Sequence, residues 1–428
     1  MSTSLRHIIG ATFATQVAAF LITVGGQVLA ARWLGPLQFG VMATLLMFAD
    51  AVNKFTNFGL ETSILYFVSN RRYPFRRFIG TNIINGLVLY GVGVLAILSF
   101  MYAGGMSLLF RPEEAVLGKA GLWWGTYLLF AAIVHEYGGN IWLGLQQFRR
   151  YNGNILTRPV IYVALLLLVY VQGALDVNAA LAIYGTSWLL PGLYIWWVSV
   201  FPLPLVWDAR ITRATMGYGI QVMGTNLLVF LVYRSDIFLI AYFLSQEAVG
   251  YYYIAVMVAE RLLYLTQSSR LVLMPAAAHA PEQQEKVPLL IRANLLVVLL
   301  GAALLGAVAP WLIPLVFTSQ YQPAVLPLLL LLPGVVAITL PKLLSADLAA
   351  RGLPRYNLYA NAVNFCINLG LNLWLIPRIG IAGAALSSSI AYLAAALMMV
   401  AFYRRVSGVA LSELLLPKRS DWTGLKKL

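Results

Sequence analysis

Eleven ionisable side chains lie inside stretches that are otherwise apolar: Lys54, Arg234, Arg261, Arg270 and Lys342, with Asp50, Glu61, Glu136, Asp236, Glu260 and Asp347. At the centre of a membrane helix each would cost about 2.5 to 3.5 kcal/mol if it faced lipid, on the order of 30 kcal/mol together. They must pair with one another or face water. Lys and Arg at such depth are suited to anionic oxygens, which they meet through charge-assisted hydrogen bonds, and the interleaved acids keep an empty site from holding its ligand too tightly. The densest set is Asp50, Asn53, Lys54, Asn57 and Glu61, at i, i+3, i+4, i+7 and i+11, which lines them along one face of an α-helix. Two readings stand beside each other: a self-neutralising Asp50–Lys54 pair that packs helices, or a polar stripe lining a hydrated cavity.

Glu260 and Arg261 fall at the same expected depth as Asp50 and Lys54, and Arg234 with Asp236 lies near them. On an intact helix Arg234 and Asp236 point about 160° apart, so one of them faces a cavity and the other is structural. Glu136, next to His135, reads either as a proton or sodium coupling site or as an acid paired among its own helices. Asn357, Asn361, Asn364, Asn368 and Asn372 share one helix face and read as interhelical hydrogen-bonding groups. Covalent and metal chemistry find no support in the sequence. Cys366 is the sole cysteine, the three histidines are far apart, and Gly118-Lys119 is followed by Ala120 with no Walker glycine upstream. Neither a cofactor nor a bound metal is expected; a proton gradient, a sodium gradient or the membrane potential would drive any cycle.

The elements that must position these residues are membrane helices. Of 428 residues 61% are hydrophobic and 10% charged, against about a quarter charged in soluble domains. Apolar stretches of spanning length predict twelve helices, near 8–32, 39–68, 78–102, 120–145, 154–171, 179–200, 214–243, 249–273, 288–308, 325–350, 357–376 and 382–403. Twenty of the 29 Lys and Arg fall on one face of this arrangement, Arg158 among them, four on the other and five within helices. By the positive-inside rule both termini and the loops at 69–77, 146–153, 201–213, 274–287 and 351–356 are cytoplasmic. The net charge of +14 is thus topology, and no nucleic-acid partner is expected.

At an offset of 210 residues the chain repeats itself: Ala31–Gly40 lies over Ala241–Gly250, and Met47, Ala49 and Asp50 lie over Met257, Ala259 and Glu260. Both copies enter from the same side, so the expected fold is all-α: a polytopic membrane protein of about twelve transmembrane helices in two parallel six-helix lobes around a central cavity. The lobes are expected at 1–203 and 204–403, followed by a cytoplasmic basic tail at 404–428.

Four motifs carry a family resemblance: Trp33-Leu-Gly-Pro-Leu-Gln-Phe-Gly40, Asn57-Phe-Gly-Leu-Glu61, Val249-Gly-Tyr-Tyr252 and Leu375-Ile-Pro-Arg-Ile-Gly-Ile-Ala-Gly-Ala-Ala385. Through nearly its whole length the chain resembles the polysaccharide-biosynthesis flippases, O-antigen and lipid-linked oligosaccharide flippases included, of the multidrug/oligosaccharidyl-lipid/polysaccharide exporter (MOP) superfamily. The resemblance implies a transporter of the bacterial inner membrane rather than an enzyme. It would carry undecaprenyl-diphosphate-linked oligosaccharide, as for lipopolysaccharide, from the cytoplasmic to the periplasmic leaflet by alternating access. A glycan polymerase and chain-length machinery would be its partners. Lys54 and Arg261, with Arg234 as a third, would meet the diphosphate, and Asp50, Asn53, Asn57, Glu61, Asp236 and Glu260 would line the cavity. Two rivals remain: a cation-coupled multidrug antiporter of the same superfamily, and a membrane-embedded glycan polymerase or ligase.

Overall fold

A long helix opens the chain. In the computed structural model, which describes residues 3–114, 121–266, 286–353 and 355–415, α1 runs Thr3–Thr56 without an intervening loop. It is two limbs joined at Gly35, whose φ of 72° lies in the left-handed region that a Cβ disfavours. Pro36 then starts the second limb, where a missing N–H costs least. After a second break at Phe58 (φ 48°) and Gly59 (φ 64°), α2 covers Leu60–Ser69. Then follow α3 (Phe75–Tyr102), the short α4 (Met106–Leu109), a 3₁₀ turn at Pro112–Glu114, α5 (Gly121–Gly144), α6 (Phe148–Val171) and α7 (Val177–Val200). The second half contributes α8 (Ala209–Phe243), α9 (Gln246–Glu260), α10 (Lys286–Phe317), a 3₁₀ stretch at Ser319–Ala324, α11 (Val325–Ala350), α12 (Arg355–Ile379), α13 (Ile381–Ser407) and α14 (Leu411–Leu415).

Among the described residues there is no strand, and nine helices are long and apolar enough to cross a membrane. One of the nine, Gly10–Thr56, holds both limbs of α1. With those limbs taken separately and the aromatic-rich α5 and α7 added, each of the twelve expected crossings has a helix. The protein is an all-α, multi-pass membrane protein. Leu95, Leu304 and Leu315 point out of it, a surface that hydrocarbon tolerates and water does not.

Several boundaries differ from the sequence expectation. The stripe from Asp50 to Glu61 is not one unbroken helical face, because the chain turns at 57–59. The loop expected at 146–153 is largely helix: α6 begins at Phe148, and Arg158, counted among the cytoplasmic charges, is its eleventh residue. Likewise Arg210 and Arg213 ride the first turns of α8. Hydropathy ends where the hydrocarbon ends, whereas a hydrogen-bond ladder of good helix formers such as Arg continues into the headgroup layer. The helix expected at 249–273 is interrupted: α9 ends at Glu260, a turn follows at Arg261–Leu262, and helix resumes over 263–266. Residues 267–273 of that helix, Arg270 among them, nearly all of the loop at 274–287 and residues 416–428 of the tail lie outside the described residues.

The chain divides into two compact units, one of residues 1–230 with 245–250, the other of 231–244 with 251–428. In the first, α5 packs on α7 and α2, and α1 on α6. At its centre, fully buried Trp142, Leu129, Ile141 and Ile64 occupy that contact. In the second, α13 packs between α11 and α12, where Ala384, Ala385, Ala391 and Ala395 allow close approach of the helices.

The candidate functional site

Lys54 collects carboxylates. Its Nζ stands 3.9 Å from Asp50 Oδ1, 3.8 Å from Glu61 Oε1 and 3.9 Å from Glu136 Oε1. Asp50 is one turn back on the second limb of α1, Glu61 arrives because the break at Phe58–Gly59 redirects the chain into α2, and Glu136 comes across from α5. Asn53 Nδ2 donates to Glu136 Oε2 at 3.2 Å, Asn57 Nδ2 donates to Glu61 Oε2, and Tyr137 hydroxyl donates to Asn57 Oδ1 at 2.5 Å. All five residues of the stripe therefore meet at one place, with Glu136 and Tyr137 added. Asn53 and Asn57 are buried against α5, while Lys54 and Asp50 stay partly open. The separations from Lys54 exceed the roughly 2.7–2.9 Å of a charge-assisted hydrogen bond. This ammonium is held electrostatically by three acids without being locked to any one.

Behind Glu136 lies a second group that sequence reasoning missed. His135 Nε2 accepts from Asn154 Nδ2 of α6 at 3.2 Å, and its ring stands edge-on to Trp188 of α7 at 5.0 Å. The Arg158 guanidinium lies over that indole, 4.2 Å from the ring centroid. Starting α6 at 154 put Arg158 near the cytoplasm; its i, i+4 relation to Asn154 was the signal available.

The second unit pairs its charges differently. Arg234 forks onto Glu260, Nη1 to Oε1 at 2.9 Å and Nη2 to Oε2 at 3.1 Å, a bidentate match of planar groups. Buried Asp236 accepts from Tyr252 hydroxyl at 2.5 Å and from Ile237 N–H at 2.9 Å, pointing away from that fork as the helical rotation requires. Lys342 Nζ sits 5.0 Å from the Tyr233 ring centroid, and Asp347 accepts from Arg351 Nε at 2.7 Å. Arg261, at the turn after α9, lies 5.9 Å from the Tyr264 ring. On α12, Asn372 Nδ2 donates to Asn368 Oδ1 at 2.9 Å and Asn368 Nδ2 to Ser388 Oγ of α13 at 3.0 Å, the interhelical use expected of the asparagine face. No group of three or more His, Cys, Asp or Glu arranged to hold a metal ion occurs among the described residues.

Residues 153–326 match the family described as "Polysaccharide biosynthesis protein". Among solved structures, the lipid II flippase MurJ in an inward closed conformation is similar with a TM-score of 0.75 at 14% identity, over 95% of this chain and 88% of that one. An inward-facing multidrug resistance MATE family transporter of the MOP superfamily gives 0.67 at 16% identity, over 93% and 94%. A MOP superfamily transporter from Pyrococcus furiosus gives 0.61 at 15% identity, over 93% and 95%. No curated protein sequence matches the chain. The fold defines the class: a multi-pass membrane protein with the architecture of MOP-superfamily transporters. The family match accords with the polysaccharide-biosynthesis resemblance read from the sequence, and the fold likeness with its MOP part.

Proposed function

We propose that the protein moves undecaprenyl-diphosphate-linked oligosaccharide from the cytoplasmic to the periplasmic leaflet of the bacterial inner membrane by alternating access, without covalent chemistry. The observation that carries this reading is the match of residues 153–326 to a polysaccharide-biosynthesis family inside a MOP transporter fold. The chemistry of the first unit supports it. A lysine at ion-pair distance from three carboxylates can exchange them for phosphate oxygens, and the acids it leaves offer a place for a proton or sodium ion, with Glu136 the coupling residue. Within the first unit Lys54 is assigned to the diphosphate, with Asp50 and Glu61 beside it on the hydrated side and the buried Asn53 and Asn57 holding them in place. In the second unit Arg234 can meet an anionic group only by exchanging Glu260 for it.

One observation favours the second reading, a cation-coupled multidrug antiporter: three acids around one lysine leave an excess of two negative charges when all are ionised. The two readings diverge at Lys54. A diphosphate requires the positive charge, so Lys54→Arg should keep most glycan display on the cell surface, Lys54→Ala should reduce it at least tenfold, and Lys54→Glu should abolish it, each at equal protein level in the membrane. Restoration by Asp50→Ala/Lys54→Ala, or by Lys54→Ala/Glu136→Gln, would reduce Lys54 to a neutralising group. Unchanged display on deletion of the gene, with drug accumulation altered instead, would favour the antiporter.

A further inference from the structure

Arg158 is about 15 Å along α6 from Phe148, ten residues at the helical rise. It lies at the border between the buried face of that helix, with Tyr162 and Leu166, and the exposed face, with Leu168. Lys54 and Arg234 bring carboxylates with them, whereas no carboxylate among the described residues reaches Arg158 within 4.0 Å. Its contact is the Trp188 ring, and a cation–π contact returns only part of what a guanidinium loses on leaving water. Trp188 Nε1 is itself buried without an acceptor. The guanidinium thus lies over an indole whose own buried N–H lacks an acceptor, and the planar fork of arginine matches phosphate in two parallel hydrogen bonds.

We infer that Arg158 and Trp188 form a binding site, between α6 and α7, for the phosphate group of a lipid. The apolar flank beside the guanidinium suits an acyl or prenyl chain, and a half-buried arginine at a helix border lets a headgroup reach it from the bilayer. The same oxyanion chemistry comes from two sources, a polyprenyl diphosphate or an anionic phospholipid. The first rests on the flippase reading; the second does not.

The test is native mass spectrometry of the full chain in detergent, titrated separately with farnesyl diphosphate and with phosphatidylglycerol. Arg158→Gln should weaken at least one of the two at least tenfold, Arg158→Lys should weaken it at least threefold because the fork is lost, and Arg149→Ala, which removes a charge at the start of α6, should change neither. Loss of farnesyl diphosphate alone assigns the site to the cargo, and loss of phosphatidylglycerol alone assigns it to bilayer lipid. Loss of both leaves a site for lipid phosphates in general. Unchanged affinity for both probes in Arg158→Gln overturns the site, as does unchanged affinity in Arg158→Lys should the glutamine variant not be monodisperse. A failed flippase reading would register in glycan display without touching the phosphatidylglycerol arm.

Discussion

Arginine 234 and lysine 54 are both intramembrane cations, yet their geometries predict opposite responses to mutation. The Arg234–Glu260 fork uses both carboxylate oxygens at 2.9 and 3.1 Å, so removing one partner strands the other charge in a low-dielectric setting. Breaking a buried pair costs about 3–5 kcal/mol, and this one, about a quarter exposed, belongs near the lower end. Arg234→Ala should therefore lower the thermal unfolding temperature of the purified protein, and Arg234→Ala/Glu260→Ala should recover most of the loss with glycan display retained. A stable double variant without display would instead make Arg234 a cargo residue. Lys54 has no such tight bond to lose, which is why its test is one of function. The stripe around it was legible as an i, i+3, i+4, i+7 pattern. The approach of Glu136 was not, because nothing local in the chain relates residue 54 to residue 136.

At the scale of elements the repeat holds at its first break. Gly35 ends the first limb of α1 and Pro36 starts the second; 210 residues on, Ser245 separates α8 from α9, which starts at Gln246. Within the first unit the two restarts meet backbone to backbone and reciprocally. A Cβ on Gly40 would stand 1.7 Å from the Gln246 carbonyl oxygen, and one on Gly250 would stand 2.2 Å from that of Pro36. Gln246 also accepts from Thr44 hydroxyl at 2.6 Å, donates its side-chain amide to Leu109 carbonyl at 2.5 Å, and gives its backbone N–H to Glu114 at 2.9 Å. Such a contact has backbone on both sides and cannot relax by rotating a side chain, so a methyl group must push the helices apart, at about 1–3 kcal/mol. Gly40→Ala and Gly250→Ala should each lower thermal stability, whereas Gly91→Ala on α3, where a Cβ meets open space, should not. The offset of 210 was visible in the sequence. That the repeated glycines touch each other was not, since a glycine in a helix reports only permission for a close approach and not the partner.

For the whole molecule the checkable quantity is sidedness. The distribution of Lys and Arg predicts that cysteines placed in the 69–77 and 201–208 connections are shielded from an impermeant reagent added outside the cell, while cysteines at Gly104 and Gly173 are labelled. Cys366 is exposed, so the series needs a Cys366→Ser background. Labelling of the 69–77 connection from outside would invert the arrangement and reverse the direction of transport proposed above.

Composition and hydropathy determined the solvent, the all-helical class and the twelve crossings, because each is a sum over consecutive residues and a spanning segment must satisfy its backbone hydrogen bonds within itself. The 210-residue repeat and the identity of the intramembrane charges were likewise properties of the string. Tertiary structure decided which charges meet. It turned the chain at Phe58–Gly59 so that Glu61 faces Lys54, brought Glu136 across from α5, forked Arg234 on Glu260, and set Arg158 over the Trp188 ring. Each of these depends on distances between separate helices, set by packing and by where a hydrogen-bond ladder begins, and no local pattern of residues encodes such a distance.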